Sequence, residues 1–154
     1  MQIRELIGSD NISAQTLIFD ILGSEFQVDR NLFINELDLK DIKKSYQNEG
    51  ETFFVAEDGN KIVGTIGVKK EADDTALIRR LFVHPEYRKK GYGHTLLLKA
   101  LDFCKMYGYK KVEFRGTSRM VSAIALCKRC GFHERGILNL GTVELHRLIY
   151  NLNF

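Results

Sequence analysis

Residues 81–97 read LFVHPEYRKKGYGHTLL. An apolar strand-like run ends at Val83, and Pro85 forbids simple continuation of pairing, because proline has no N–H to give to a ladder. Arg88, Lys89, Lys90, Gly91, Tyr92 and Gly93 then lead directly into a helical pattern. Gly91 and Gly93 permit positive φ and a close approach of a ligand to the backbone. The first turn of a helix leaves its N–H groups unpaired, and the macrodipole adds about half a positive charge there. With three basic side chains in the same loop, the segment is an anion site, most naturally for a pyrophosphate. It is not a Walker loop, since Gly-Lys-Ser/Thr is missing. Nor is it a dinucleotide fingerprint, since a third glycine is missing and a meander precedes it.

Working outward, the helix predicted from about Gly91 to Tyr107 buries Leu96, Leu97, Ala100, Leu101 and Cys104 and stops at Gly108. Upstream, TFFVAEDGNKIVGTIGVKK is two strand-like runs around Asp58-Gly59-Asn60, a hairpin signal. Thr75 to Val83 continues that meander. Gln2 to Ile7 alternates as a first strand, and Ser9/Asp10/Asn11 offers an N-cap to a helix carrying Ile12, Leu17, Ile18, Ile21 and Leu22. Gly23 either ends that helix or weakens it. Residues 36–48 carry Leu39, Ile42 and Tyr46 at helical steps, with Gly50 closing the helix. Downstream, a strand is predicted at Lys110 to Arg115, a helix near Arg119 to Arg129, and strands at Phe132 to Ile137 and Thr142 to Tyr150. The order β-α-α-β-β-β-α-β-α-β-β specifies an α+β or mixed-sheet domain.

The 154 residues, 44% hydrophobic with one proline, form a single domain, 1–154, long enough to build a core without metals or disulfides. The net charge of +3 is too small to argue nucleic-acid binding. No apolar run approaches the roughly 20 residues that span a bilayer. Three cysteines and no secretory leader point to a reducing, cytoplasmic setting. Cys127-Lys-Arg-Cys130 ends a predicted helix rather than opening one, and lacks the partners of a zinc site, so no metal is expected.

Residues 80–97, RLFVHPEYRKKGYGHTLL, resemble the acyl-CoA-binding motif of the GNAT superfamily of N-acetyltransferases. Two more stretches support the likeness: GTSRMVSAIALCKRCGF at 116–132 and the hairpin FFVAEDGNKIVGTIGV at 53–68. The resemblance implies a mixed, mostly antiparallel central sheet flanked by helices, with strands four and five parallel but splayed into a V. It implies acetyl-CoA as cosubstrate, its pantetheine arm on the backbone of Leu81, Phe82 and Val83. Its pyrophosphate would lie on Arg88, Lys89, Lys90, Gly91, Tyr92, Gly93 and His94. An acceptor amine would enter past the first two helices and attack directly in a ternary complex. The rival readings are a non-catalytic acyl-CoA-binding module and a nucleic-acid-associated protein.

Two positions depart from the family pattern. Cys127 stands where many members carry the tyrosine that protonates the departing thiolate. A thiol of ordinary acidity could do this; the alternatives are that Cys127 is a small core residue and a water donates, or that it is itself acylated. Leu77 stands where several members carry a glutamate. The base that frees the amine is then Glu113 on strand five, the cluster Glu71/Asp73/Asp74, or a water chain. The acceptor is a small molecule or a peptide amine, and the last strands could pair across a homodimer.

Overall fold

A computed structural model describes residues 1–26 and 37–152. Seven strands form one sheet in the order β1-β2-β3-β4-β5-β7-β6. They are β1 (Gln2–Glu5), β2 (Thr52–Asp58), β3 (Lys61–Ala72), β4 (Thr75–Val83), β5 (Lys111–Thr117), β6 (His133–Asn139) and β7 (Glu144–Asn151). The helices are α1 (Asn11–Glu25), α2 (Leu37–Lys40), α3 (Ile42–Ser45), α4 (Tyr92–Tyr107) and α5 (Val121–Arg129). All strand pairs are antiparallel except β4–β5, which is parallel.

The sheet is buried on both faces across its first half. Phe54 and Ala56 of β2 point into a core with α4 and α5, whereas Phe53 and Val55 point into a second core with α1, α2 and α3. This period-two alternation explains why β2 and β3 read as nearly continuous apolar runs. Val112 and Phe114 of β5 face the α4 core.

One irregularity organises the rest. Thr65 pairs with Phe82 and Gly67 with Arg79, so two steps on β3 oppose three on β4. The extra residue is a β-bulge. Arg80 sits in it at φ +56, and its carbonyl accepts the Thr65 hydroxyl at 2.8 Å. Because the bulge reverses side-chain parity, Ile78 and Leu81 both reach the α4 core although three positions apart, and Phe82 turns to the α1 side. Pairing of β4 with β5 stops at Ile78–Phe114, although both strands continue. The two strands therefore diverge as expected.

Three local expectations change. The helix predicted over 36–48 is two short helices, because Asp41 leaves helical geometry (φ −144°, ψ 93°) and caps α3 by accepting the Lys44 N–H at 3.2 Å; residue 36 lies outside the described residues. α1 runs through Gly23 to Glu25, and Ile12 is exposed rather than packed. Asp10 does not cap α1 with its side chain. Its carboxylate instead accepts the Ile7 N–H at 2.8 Å and pairs with Arg4 at 2.7 Å.

Candidate functional site

The V between β4 and β5 opens into a cleft of about 570 Å³, within the usual range for a small-molecule site. Its floor is Leu81, Phe82 and Val83, one wall is the loop 87–94, the other is the stretch 119–126, and Ile21, Glu25 and Phe26 of α1 close the third side. Beyond Ile78, β3 is the one strand that pairs with β4, so the backbone edge of Leu81–Val83 that faces β5 has no strand partner among the described residues. Such an edge is a template for an extended amide-bearing arm.

The chain leaves β4 through a tight turn. His84 Nδ1 accepts the Glu86 N–H at 3.1 Å, and Pro85–Tyr87 forms a 3-10 turn. Lys89 lies at φ +63 and Gly91 at φ +86 before α4 begins. A left-handed residue other than glycine stores roughly 1–2 kcal/mol, and strain of this kind concentrates at functional turns. Gly93 packs closely: a Cβ there would stand 3.3 Å from Leu126 Cδ2, a tight contact, and 3.6 Å from Val83 Cγ2, an ordinary one. α4 thus starts close to both β4 and α5, and its first residues Tyr92, Gly93 and His94, where a helix leaves N–H groups unpaired, line the cleft.

Most of the predicted cofactor residues meet here. Leu81, Phe82, Val83, Arg88, Lys89, Gly91, Tyr92, Gly93 and His94 all line the cleft. Lys90 does not; its ammonium lies 5.4 Å from the centroid of the Tyr87 ring. Arg88 lines it but is already engaged. Its Nε donates to the Val83 carbonyl at 2.9 Å, and its two Nη groups hold Glu25 of α1 at 2.6 Å each.

The two candidate catalytic residues lie elsewhere. Cys127 is 0% exposed in the α4–α5 core and does not line the cleft. Burial, with a smaller contribution from Cys130, pushes its thiol up to about 12. Glu113 is buried on the other face of β5, where Arg147 Nε donates to it at 2.8 Å and Arg115 Nε pairs with its second oxygen. Phe26, just after α1, lines the cleft, whereas Tyr46 is buried and donates to Asp38 at 2.7 Å.

Sequence reasoning missed Glu25, Arg119, Met120, Ser122 and Arg129, all in the cleft wall. A signal existed for Arg119: ligands of open parallel strands sit outside their carboxyl ends. That rule applies to the loop after β5 as much as to the loop after β4.

The lining fits a coenzyme A thioester. Four cationic side chains, Arg88, Lys89, Arg119 and Arg129, face one carboxylate, Glu25. That excess lies beside a helix N-terminus, while the apolar floor and free strand edge suit an uncharged arm. Among the described residues no helix is long and apolar enough to cross a membrane.

Residues 17–132 match the sequence profile described as the acetyltransferase (GNAT) family. N-acetyltransferase 8 of Homo sapiens is 36% identical over 105 residues, which are 64% of this chain and 46% of that protein. N-acetylaspartate synthetase of Xenopus tropicalis is 28% identical over 148 residues, 87% of this chain and 55% of that protein. The chain thus spans about half the length of the curated relatives it matches. Among solved structures, a GNAT-family acetyltransferase from Staphylococcus aureus Mu50 superposes with a TM-score of 0.87 at 26% identity, covering 99% of both chains. A Salmonella typhimurium protein solved with its cofactor acetyl-CoA shares the fold, with a TM-score of 0.80 at 19% identity over 100% of this chain and 95% of that one. With a profile match over most of its length and the splayed β4–β5 pair in place, the chain belongs to the acetyltransferase (GNAT) family.

Proposed function

We propose that this chain is an acetyl-CoA-dependent N-acetyltransferase that acylates a primary amine by direct attack in a ternary complex. The observation that carries the reading is the free edge of Leu81–Val83 lying against the N-terminus of α4. Acetyl-CoA supplies an activated acyl thioester. The chain's own part is to hold and orient. The first N–H groups of α4, with Lys89, Arg119 and Arg129 nearby, hold the diphosphate. The β4 edge holds the arm, and its N–H donors polarise the thioester carbonyl.

The amine attacks as the free base, since alkylamines are mostly protonated near neutral pH. The C–N bond forms, the C–S bond breaks, the amine proton leaves to solvent and the thiolate takes a proton back. Because the Cys127 thiol lies outside the cleft, water in the cleft is the donor in this reading. The two curated relatives named above support an amine acceptor by name. A cytoplasmic setting, consistent with three free cysteines, and a homodimer pairing through the edge strand β6 belong to the same proposal.

The test is free-thiol release from acetyl-CoA over a panel of amines. Release above the no-amine background, with sequential kinetics, is expected. Thermal stabilisation by coenzyme A with no release for any amine would leave the non-catalytic module as the function. No affinity for coenzyme A would overturn both.

A further inference from the structure

Three arginines stand in one row across the sheet. Arg79 of β4 and Arg115 of β5 are the residues immediately beyond Ile78–Phe114, the last pair before the V opens, and Arg147 of β7 pairs with Arg115. Adjacent strands are about 4.8 Å apart, so the row spans roughly 10 Å. It lies on the face opposite α4 and α5, because its neighbours Ile78, Phe114 and Leu148 all point into the α4 core. None of the three lines the cleft itself, but Phe82 of the cleft floor turns to the same face, and Arg79 is two positions before Leu81, about 7 Å along the strand.

The row is built rather than incidental. Glu113 is 2% exposed, and both its oxygens are used to hold guanidinium groups, Arg147 at Oε1 and Arg115 at Oε2. Arg115 is further held by Glu71 at 2.7 Å. Arg147 meets Glu113 only through Nε, its side chain is 51% exposed, and its two Nη groups have no partner among the described residues. Arg79 makes no hydrogen bond or ion pair among the described residues. Its charge nevertheless reaches Asp38 of α2, where it helps hold that carboxyl low. Beyond Arg147 the next position is Gly136, over which a Cβ would meet nothing within 4 Å, so the shelf is open above its outermost arginine. Three cations against Glu113 and Glu71 leave a net positive shelf with unspent donors in the geometry that matches a carboxylate.

We propose that Arg79 and Arg147, with Arg115 between them, bind the carboxylate of the acceptor, and that the acceptor is a small amine bearing a carboxylate, a free amino acid in chemical class. This rests on the acetyltransferase reading and narrows it.

The test compares L-phenylalanine with L-phenylalaninamide and L-aspartate with its diamide, in thiol release and in direct calorimetric titration of the protein with and without coenzyme A. Wild-type protein is expected to favour the free acids. Arg147→Gln, and independently Arg79→Gln, should raise KM for the acids by about tenfold or more, the scale of a charged hydrogen bond. KM for the amides and for acetyl-CoA should stay within about twofold. A merely structural arginine row would move acids and amides together. Equal use of acids and amides by wild type, or equal losses in the variants, overturns the proposal. If no acceptor turns over, saturable binding of the acids that Arg147→Gln abolishes still sustains the shelf, and its absence refutes it. Loss of coenzyme A binding would count against the acetyltransferase reading instead.

Discussion

Cys127 shows how one residue can share a sequence position with a catalytic group and lack its surroundings. The adjacent Leu126 reaches the cleft, but the Cys127 side chain turns into the α4–α5 core. A thiol near 12 opposes a leaving thiolate of ordinary basicity near 8.5, so protonation by Cys127 would be uphill by about 5 kcal/mol. Cys127→Ala is expected to leave the thiol-release rate within about twofold and to cost about 1 kcal/mol of stability through the small cavity it opens. Steady-state kinetics and thermal unfolding check both. A tenfold fall in rate would restore the thiol to the mechanism.

At the scale of elements, the cleft is where α1 meets the β4–α4 loop. Arg88 is expected from sequence to serve the cofactor, yet Glu25 at the end of α1 holds both of its Nη groups. A diphosphate entering the loop must share or displace that carboxylate. The pair is about one-third exposed on each side, so its worth is modest, up to about 1 kcal/mol and screened by salt. Glu25→Gln should therefore tighten coenzyme A binding by about threefold to fivefold at low salt, with the gain shrinking as salt rises, by titration calorimetry. Weaker binding in the variant would mean that Glu25 instead pre-orients Arg88. The same scale explains the misread helix over 36–48. Apolar spacing alone cannot register that Asp41 finds the Lys44 N–H and the Asn11 amide, at 2.9 Å, better partners than a continuous helix provides.

At the scale of the whole molecule, a largely buried ion pair fastens the α1–α3 layer to β4. Arg80, in the bulge, holds Asp38 of α2 through two bonds of 2.9 and 2.8 Å, and Tyr46 donates to the same carboxylate. Burial alone would push the Asp38 carboxyl up. The Arg80 hydrogen bonds and charge, the Tyr46 hydroxyl and the charge of Arg79 outweigh it and hold the group at about 2. A carboxylate depressed on folding contributes stability that is complete above its unfolded value near 4 and is lost as pH falls through its folded value. Acid unfolding should accordingly show a component between about pH 4 and 2. Asp38→Asn should remove it while costing about 1.5–3 kcal/mol at neutral pH, the scale of hydrogen bonds to a charged group, because a neutral amide replaces the carboxylate that takes two Arg80 bonds. Denaturant titrations across that range read both effects. An unchanged acid limb would show that other carboxylates govern it.

The succession of strands, the mixed sheet and the tight turn that starts α4 were legible in the chain, because each rests on local rules: apolar periodicity, a proline that ends a strand, and glycines at positive φ or close contact. Many of the cleft-lining residues followed, since 81–94 are contiguous and one turn presents them together. The bulge at Arg80 could not be read this way, because it exists only as a mismatch of register between β3 and β4. Nor could the arginine row, whose members are 36 and 32 positions apart in sequence. Pairing across strands, not proximity along the chain, brings them to one face of the sheet and buries Cys127 and Glu113 away from the cleft. Contacts of that range depend on how distant segments pack, which no local pattern encodes.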